Sequence, residues 1–181
     1  MSGTAPPPRA VRTGVIRTAV PADLDAIAAL HAEARATYYR GHLPEDAFNG
    51  PAERARTREG WSRALRTEGD PYAAVLCAEE PGALTGVAAY RRIEGVTTLT
   101  QLHVAPARWR HGTGTALLDA CVTAWRRAGV EVARLEVFAP NSRAQSFYGR
   151  HGWRPDPDNP RHGAHKVLRF VVPDSPGGPM A

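Results

Sequence analysis

Two glycines, Gly112 and Gly114, stand behind a basic loop and ahead of an apolar-patterned run in ARWRHGTGTALLDACVTAW. Glycine at the mouth of a helix lets the backbone come close to a ligand. The helix's first amides have no partner within the helix and can point at a phosphate. Arg108, Arg110 and His111 add donors and positive charge at that mouth. A tight turn that needs glycine for its φ angle leaves the same trace, so the pair alone does not separate an anion cradle from a turn.

Three further side chains have the chemistry of proton transfer. Tyr148 carries a hydroxyl that can give a proton to a leaving group, and Glu136 and His103 can take one from a nucleophile. Each has a plainer reading: a core aromatic beside Phe147, an outward strand carboxylate beside Arg134, and a half-buried, hydrogen-bonded histidine. Asn141 is placed either to bond a ligand or to cap the helix that begins there. Arg150, on the same helix, reaches phosphates or lies solvated. Cys77 and Cys121 sit in the apolar stretches AAVLCAEE and ALLDACVTAW and read as buried free thiols. No second Cys or His stands at ligand spacing from either, so no metal site is expected.

The elements that must hold these groups follow from periodicity and punctuation. A strand is expected at Val15–Ala19, then a helix from Pro21 through Tyr39 with Ile27, Leu30, His31 and Ala34 on one face. A second helix is expected over Ala52–Thr67. Strands follow at Tyr72–Glu79, Leu84–Arg91 and Thr97–Val104, the first two joined by the turn Pro81-Gly82. The glycine loop feeds a helix closed by Gly129, a C′ glycine. Val132–Phe138 reads as a strand, Asn141–His151 as a helix, and strands near Trp153–Pro155 and Ala164–Val172 end the pattern.

The bulk numbers suit one soluble domain over residues 15–172. The chain has 181 residues, 43% of them hydrophobic, and a net charge of +5. Residues 1–14 and 173–181, rich in Pro and polar, are expected to be a disordered leader and tail. No apolar run is long enough to span a bilayer, and the first residues lack the apolar core of a secretory signal, so a cytoplasmic protein is expected. The positive charge is nearly all arginine, Lys166 being the only lysine. It suits an anionic partner, either nucleic acid or a phosphate-rich cofactor.

Taken together, HVAPARWRHGTGTALLDACVTAW and LEVFAPNSRAQSFYGRHGW resemble the GNAT superfamily of acyl-CoA-dependent N-acyltransferases. Gly112 and Gly114 match the glycines of its motif Q/R-x-x-G-x-G/A. Asn141, Ala144, Phe147, Tyr148, Gly152 and Trp153 fill its second pattern, N-x-x-A-x-x-F-Y-x-x-x-G-F/W. Trp109 stands where the family more often has Gln or Arg, and Arg110 where Gly is common. The order of elements from Val15 to about Val172 also matches.

The resemblance implies an α/β (α+β) fold with a mixed, mostly antiparallel sheet of about seven strands flanked by helices. Its fourth and fifth strands would splay into a wedge. It implies acetyl-CoA as co-substrate, its pyrophosphate held by the loop from Trp109 and Arg110 through His111, Gly112, Thr113, Gly114 and Thr115. The pantetheine arm would lie along Leu102 to Val104 and meet Asn141. Tyr148 takes the role of general acid. Glu136 matches the glutamate of members resembling ribosomal-protein alanine acetyltransferases, with His103 as competitor. Related sequences often carry an acid earlier on the fourth strand, where this chain has Thr97, Thr98 and Thr100.

Tyr38, Tyr39, Arg40 and His42 in TYYRGHLPED, together with Trp61, are candidates to meet the acceptor amine, with His162 and His165 across the site; ordinary packing is the plainer role for Trp61. Aromatic faces there suit cation–π contact with an amine.

Three functions remain open at this point. One is N-acetyl transfer to a small-molecule or protein amine by direct attack, with no acyl-enzyme. Another is a catalytically silent acyl-CoA sensor. The last is a basic nucleic-acid-binding domain, disfavoured because charge gathers at the GxG helix start and no recognised nucleic-acid motif is present. A homodimer is the default expectation for symmetric association.

Overall fold

The computed structural model describes residues 14–67 and 69–173. The expected leader and tail, apart from Gly14 and Pro173, lie outside the described residues. The chain runs β1 (Val15–Thr18), a 3-10 turn (Pro21–Asp23), α1 (Leu24–Tyr39), α2 (Glu45–Asn49), α3 (Pro51–Ala64), β2 (Ala74–Glu80), β3 (Ala83–Ile93) and β4 (Val96–Val104). It continues with α4 (Thr113–Arg127), β5 (Val132–Phe138), α5 (Ser142–Arg150), β6 (Arg154–Pro155), β7 (Arg161–His162) and β8 (His165–Val171).

The strands form one sheet in the order β1-β2-β3-β4-β5-β8-β6, with β7 on β8. All pairs are antiparallel except β4 with β5, which run parallel because α4 carries the chain across between them. Two tight turns set the register of the first hairpins. Pro81-Gly82 joins β2 to β3 with Gly82 at φ 84°, and Glu94-Gly95 joins β3 to β4 with both residues at positive φ, 48° and 82°. The second arrangement matches the twist of the strands it connects.

Side chains alternate between two cores, as the period of a strand requires. On β3, Ala88 and Tyr90 join Leu117, Cys121, Trp125 and Trp153 beneath α4 and α5. Val87 and Ala89 face the other way, toward Ile27, Leu30 and Trp61 beneath α1 and α3. Both cysteines are free and buried, one in each core.

Helix α4 ends as the glycine predicted. Gly129 has φ 69°, its amide bonds Arg126 O, and the Val130 amide reaches Trp125 O at 2.9 Å. That closes the last turn and leaves Val130 in the same core as Trp125.

The sequence expectation of two helices before β2 is corrected by α2. Its five residues are too few to show a helical period, and buried Phe48 fastens it. Strand β7, of two residues, was likewise not expected. Among the described residues, no helix is long and apolar enough to cross a membrane.

Candidate active site

The β4–β5 ladder is short. Only Thr97, Thr98 and Leu99 pair with Ala133, Arg134 and Leu135. Past that point the β3–β4 register slips by one residue, Tyr90 facing Leu99 and Ala89 facing Gln101, so Thr100 is a bulge residue. Its hydroxyl donates to Ala89 O at 3.1 Å. The bulge lies where β4 leaves β5, and a gap opens beyond it.

The register also says which way the backbone points there. Ala105 donates to Thr85 O, so the alternate residues Leu102 and Val104 turn their N–H and C=O groups away from β3 and toward the gap. Trp109 Nε1 donates to the Val104 carbonyl at 2.9 Å, which leaves the Val104 amide and both Leu102 groups facing it.

The loop after β4 ends at the start of α4. Gly112 is the N-cap, at φ 84°, and gives the helix no side-chain cap. The first-turn amides of Thr113, Gly114 and Thr115 are therefore left for an outside acceptor. A Cβ on Gly114 would lie 3.4 Å from the Phe147 ring and 3.6 Å from Val104 Cγ2, so α4 enters pressed against α5 and β4. Arg110 has φ 64°, a left-handed conformation that glycine adopts at least cost. Arg110 and Arg150 are exposed and have no ion-pair partner among the described residues. An uncapped helix start with the exposed Arg110 two residues before its N-cap suits a polyanion such as a pyrophosphate.

Other residues of this loop are already engaged. Arg108 pairs with Glu80 at 2.6 Å, so it is not free to serve as the phosphate donor the sequence suggested. The His111 ring folds back to Trp109 O at 2.8 Å. Two residues that sequence reasoning did not single out complete the region. His151 sits 3.1 Å from Thr115 Oγ1 and 2.8 Å from Phe147 O, tying α5 to the first turn of α4. Arg143 stacks 3.4 Å above the Trp109 ring and donates to Thr37 Oγ1 on α1 at 3.1 Å.

The gap opens into a cleft of about 740 Å³ beneath α1 and α3, and Tyr148, Glu136 and His103 all line it. Tyr148 is buried, and burial, with Tyr38 and Cys121 adding to it, raises its pKa well above the usual tyrosine range. It therefore holds its proton across the physiological range. Glu136 is exposed at the cleft and accepts from His162 Nδ1 at 3.0 Å, while Arg134 turns instead to Asp156 at 2.6 Å. His103 is buried, its Nε2 2.7 Å from Gln101 Oε1, and its ring stacks on His31 at 4.3 Å. Burial pushes both imidazoles down, His31 to about 3, and nearby Arg35 adds to the effect. Trp61 donates to His31 Nδ1 at 2.8 Å, so this nitrogen carries no proton.

Asn141 caps α5, accepting from the Ala144 amide at 3.1 Å, and also lines the cleft. Tyr38, Tyr39 and His165 line it too; Tyr39 and His165 lie 4.8 and 5.8 Å from the Phe138 ring. His42 is exposed and meets the edge of Phe138 at 5.8 Å, outside the lining. Lys166 is half-buried and donates to Gln145 Oε1 at 2.6 Å. Among the described residues no group of three His, Cys, Asp or Glu could hold a metal ion.

A family model described as Acetyltransferase (GNAT) family matches residues 28–153. No curated protein matches the sequence. Among solved structures, the fold is similar to a PaiA N-acetyltransferase from Thermoplasma acidophilum in complex with coenzyme A. That match has 20% identity and a TM-score of 0.77 over 87% of this chain and 98% of that one. It is also similar to the ribosomal-protein-S18-alanine N-acetyltransferase of Escherichia coli, at 20% identity and TM-score 0.61 over 92% and 98%. A GNAT-family putative acetyltransferase from Desulfovibrio desulfuricans is 24% identical, with TM-score 0.64 over 88% and 99%.

Proposed function

The chain belongs to the GNAT acetyltransferase family, and on that premise we propose that it moves an acetyl group from acetyl-CoA to a primary amine by direct attack in a ternary complex. The observation that carries this reading is a gap-facing stretch of β4 with the uncapped start of α4 following it in the chain: the backbone of Leu102 and Val104 faces the gap, and Leu102 and Tyr148 both line the cleft into which that gap opens.

Bound acetyl-CoA supplies an activated thioester on an extended arm. The amides from His111 to Thr115, with Arg110 and Arg150 nearby, hold its pyrophosphate. Leu102 and Val104 receive the arm as an added strand, and the Val104 amide polarises the thioester carbonyl. Asn141 spends its Oδ1 on the helix cap, which leaves its side-chain nitrogen to donate to the arm.

Glu136 takes one proton from the ammonium, directly or through water. The nitrogen–carbon bond forms and the carbon–sulfur bond breaks. Tyr148 gives its proton to the departing sulfur. The remaining excess proton on nitrogen goes to solvent, which returns one to Tyr148. His103 is the competing base, but its burial and its lowered pKa favour Glu136. Neither cysteine suits a covalent route, because burial pushes both thiols up to about 12. Two free thiols also agree with a cytoplasmic setting.

Calorimetric titration with acetyl-CoA, followed by thiol release across a panel of amines, tests the proposal. Saturable binding that a Gly112→Ala/Gly114→Ala variant loses, with amine-dependent thiol release, is the expected result. Binding without release under any amine leaves the silent sensor as the better account. No binding at millimolar acetyl-CoA refutes both.

A further inference from the structure

Arg134 and Glu136 share one face of β5, because Ala133, Leu135 and Val137 turn into the core beneath α4 and α5. Residues two apart on a strand stand roughly 7 Å apart at Cα, within the span of an arginine side chain. Opposite in charge and side by side, they are placed to pair, yet they do not. Arg134 goes to Asp156 at 2.6 Å, and Glu136 accepts from the His162 imidazole at 3.0 Å. Among the described residues, His162 is the one side chain that bonds Glu136. Arg169, level with Arg134 on β8 and diagonal to Glu136, makes no ion pair with it.

Both partners come from one short piece of chain. Asp156 follows β6 and is fully buried. Its Oδ1 accepts from the amides of Asp158 and Asn159 at 3.0 and 3.2 Å, which bends the chain into a tight turn. Its own amide donates to Val167 O at 2.9 Å, and the Val167 amide donates to Pro160 O at 3.1 Å. Val167 is the residue opposite Glu136 on β8, so the turn is fastened beside the carboxylate and delivers His162 on β7. Asp156 thus draws off the guanidinium and builds the turn that brings the imidazole.

The exchange of partners matters to a base. A guanidinium is charged at every working pH and holds a neighbouring carboxylate in its ionised form, which weakens its pull on a proton. An imidazole is neutral above its own titration range and donates through Nδ1 without that penalty. Resting on the acetyl-transfer reading above, with Glu136 as its base, we propose that Asp156 and His162 are positioning residues: Asp156 withholds Arg134 from Glu136, and His162 fixes Oε1 and leaves Oε2 for the acceptor ammonium. Neither touches the reacting atoms, and the bond changes are those already given. The titratable groups of other elements, His165 on β8 and Tyr38 and Tyr39 on α1, gather at the Phe138 ring, two residues along the same face, with Arg35 over Tyr39 at 5.2 Å.

Asp156→Asn tests the first role, since asparagine keeps the turn's acceptor oxygen and loses the charge that holds Arg134. In the wild-type protein at mildly alkaline pH, nitrogen-15 NMR should find the His162 ring proton on Nδ1, the signal being assigned with His162→Asn. In Asp156→Asn that signature should be lost as Arg134 moves to Glu136, and kcat should fall about tenfold with the KM for acetyl-CoA unchanged. Adding Arg134→Gln should restore both, which a purely structural Asp156 would not allow. His162→Ala should lower kcat severalfold, and His162→Asn, whose amide nitrogen replaces Nδ1, should recover most of it. A folded Asp156→Asn with wild-type kcat and ring signature overturns the proposal, as does a loss that Arg134→Gln fails to reverse. Should Asp156→Asn not fold, the His162 variants decide, and wild-type kcat in His162→Ala overturns the proposal. The ring signature needs no turnover, so a protein that shows it and acetylates no amine counts against acetyl transfer and not against these contacts.

Discussion

The imidazoles of His31 and His103 stack at 4.3 Å in the wall of the cleft, one from α1 and one from β4. Trp61 fixes the first and Gln101 the second, so the stack is held at both ends. Burial keeps both rings neutral, whereas the unfolded chain protonates them near 6.5.

Stability should therefore be complete above about 6.5 and fall as the pH drops from there toward the folded value of about 3 for His31. The expected slope is up to about 1.4 kcal/mol per pH unit for each imidazole. Urea denaturation between pH 7.5 and 5 measures it in a window above the carboxylate range. His103→Asn should flatten the slope; an unchanged slope would show that the pair does not carry it.

Tyr148→Phe removes the hydroxyl and keeps the ring that packs on Trp153 at 5.8 Å. Acetyl-CoA affinity should change little, while kcat falls about 10²- to 10⁴-fold. Steady-state kinetics beside calorimetry separate the two effects. A wild-type kcat in the variant rules out Tyr148 as the acid.

Glu136→Gln and His103→Gln discriminate the bases. The variant that loses the rise of kcat/KM with pH on the acidic side identifies the proton acceptor. The expected one is Glu136→Gln, with a loss of about 10²-fold or more. If His103→Gln alone abolishes the rise, the assignment moves to His103.

Trp109→Phe keeps a ring beneath Arg143 but deletes the donor to Val104 O. The loss of one hydrogen bond should cost about 1 kcal/mol of stability. Acetyl-CoA affinity should also fall severalfold, because the loop is no longer tied to the end of β4. Thermal unfolding and calorimetry check both parts.

Much of this arrangement was legible along the chain. Local signals did well where a single element decided the matter: Gly129 at the end of α4, Asn141 as the cap of α5, and alternation in β5. Gly112 was visible for the same reason, since its positive φ is a local demand, whereas Gly114 answers to the Phe147 ring of another helix. The long-range partners were not. His31 appeared only as one apolar-face position of a helix, because periodicity reports a face and not what meets it. Arg108 looked free until folding brought Glu80 beside it. Arg143 and His151 gave no signal, as their roles depend on a ring and a hydroxyl from other elements. The bulge at Thr100 was hidden as well, because slippage of register belongs to a pair of strands and to neither one alone.

Lys166 is the chain's only lysine, and its ammonium is already committed to Gln145. An acetyltransferase poor in lysine offers its own chemistry almost nothing to modify. Arginine carries the positive charge without presenting an acylatable nitrogen, so the charge survives long exposure to the activated donor. Automodification, if sought by mass spectrometry after prolonged incubation, has one side chain on which to register.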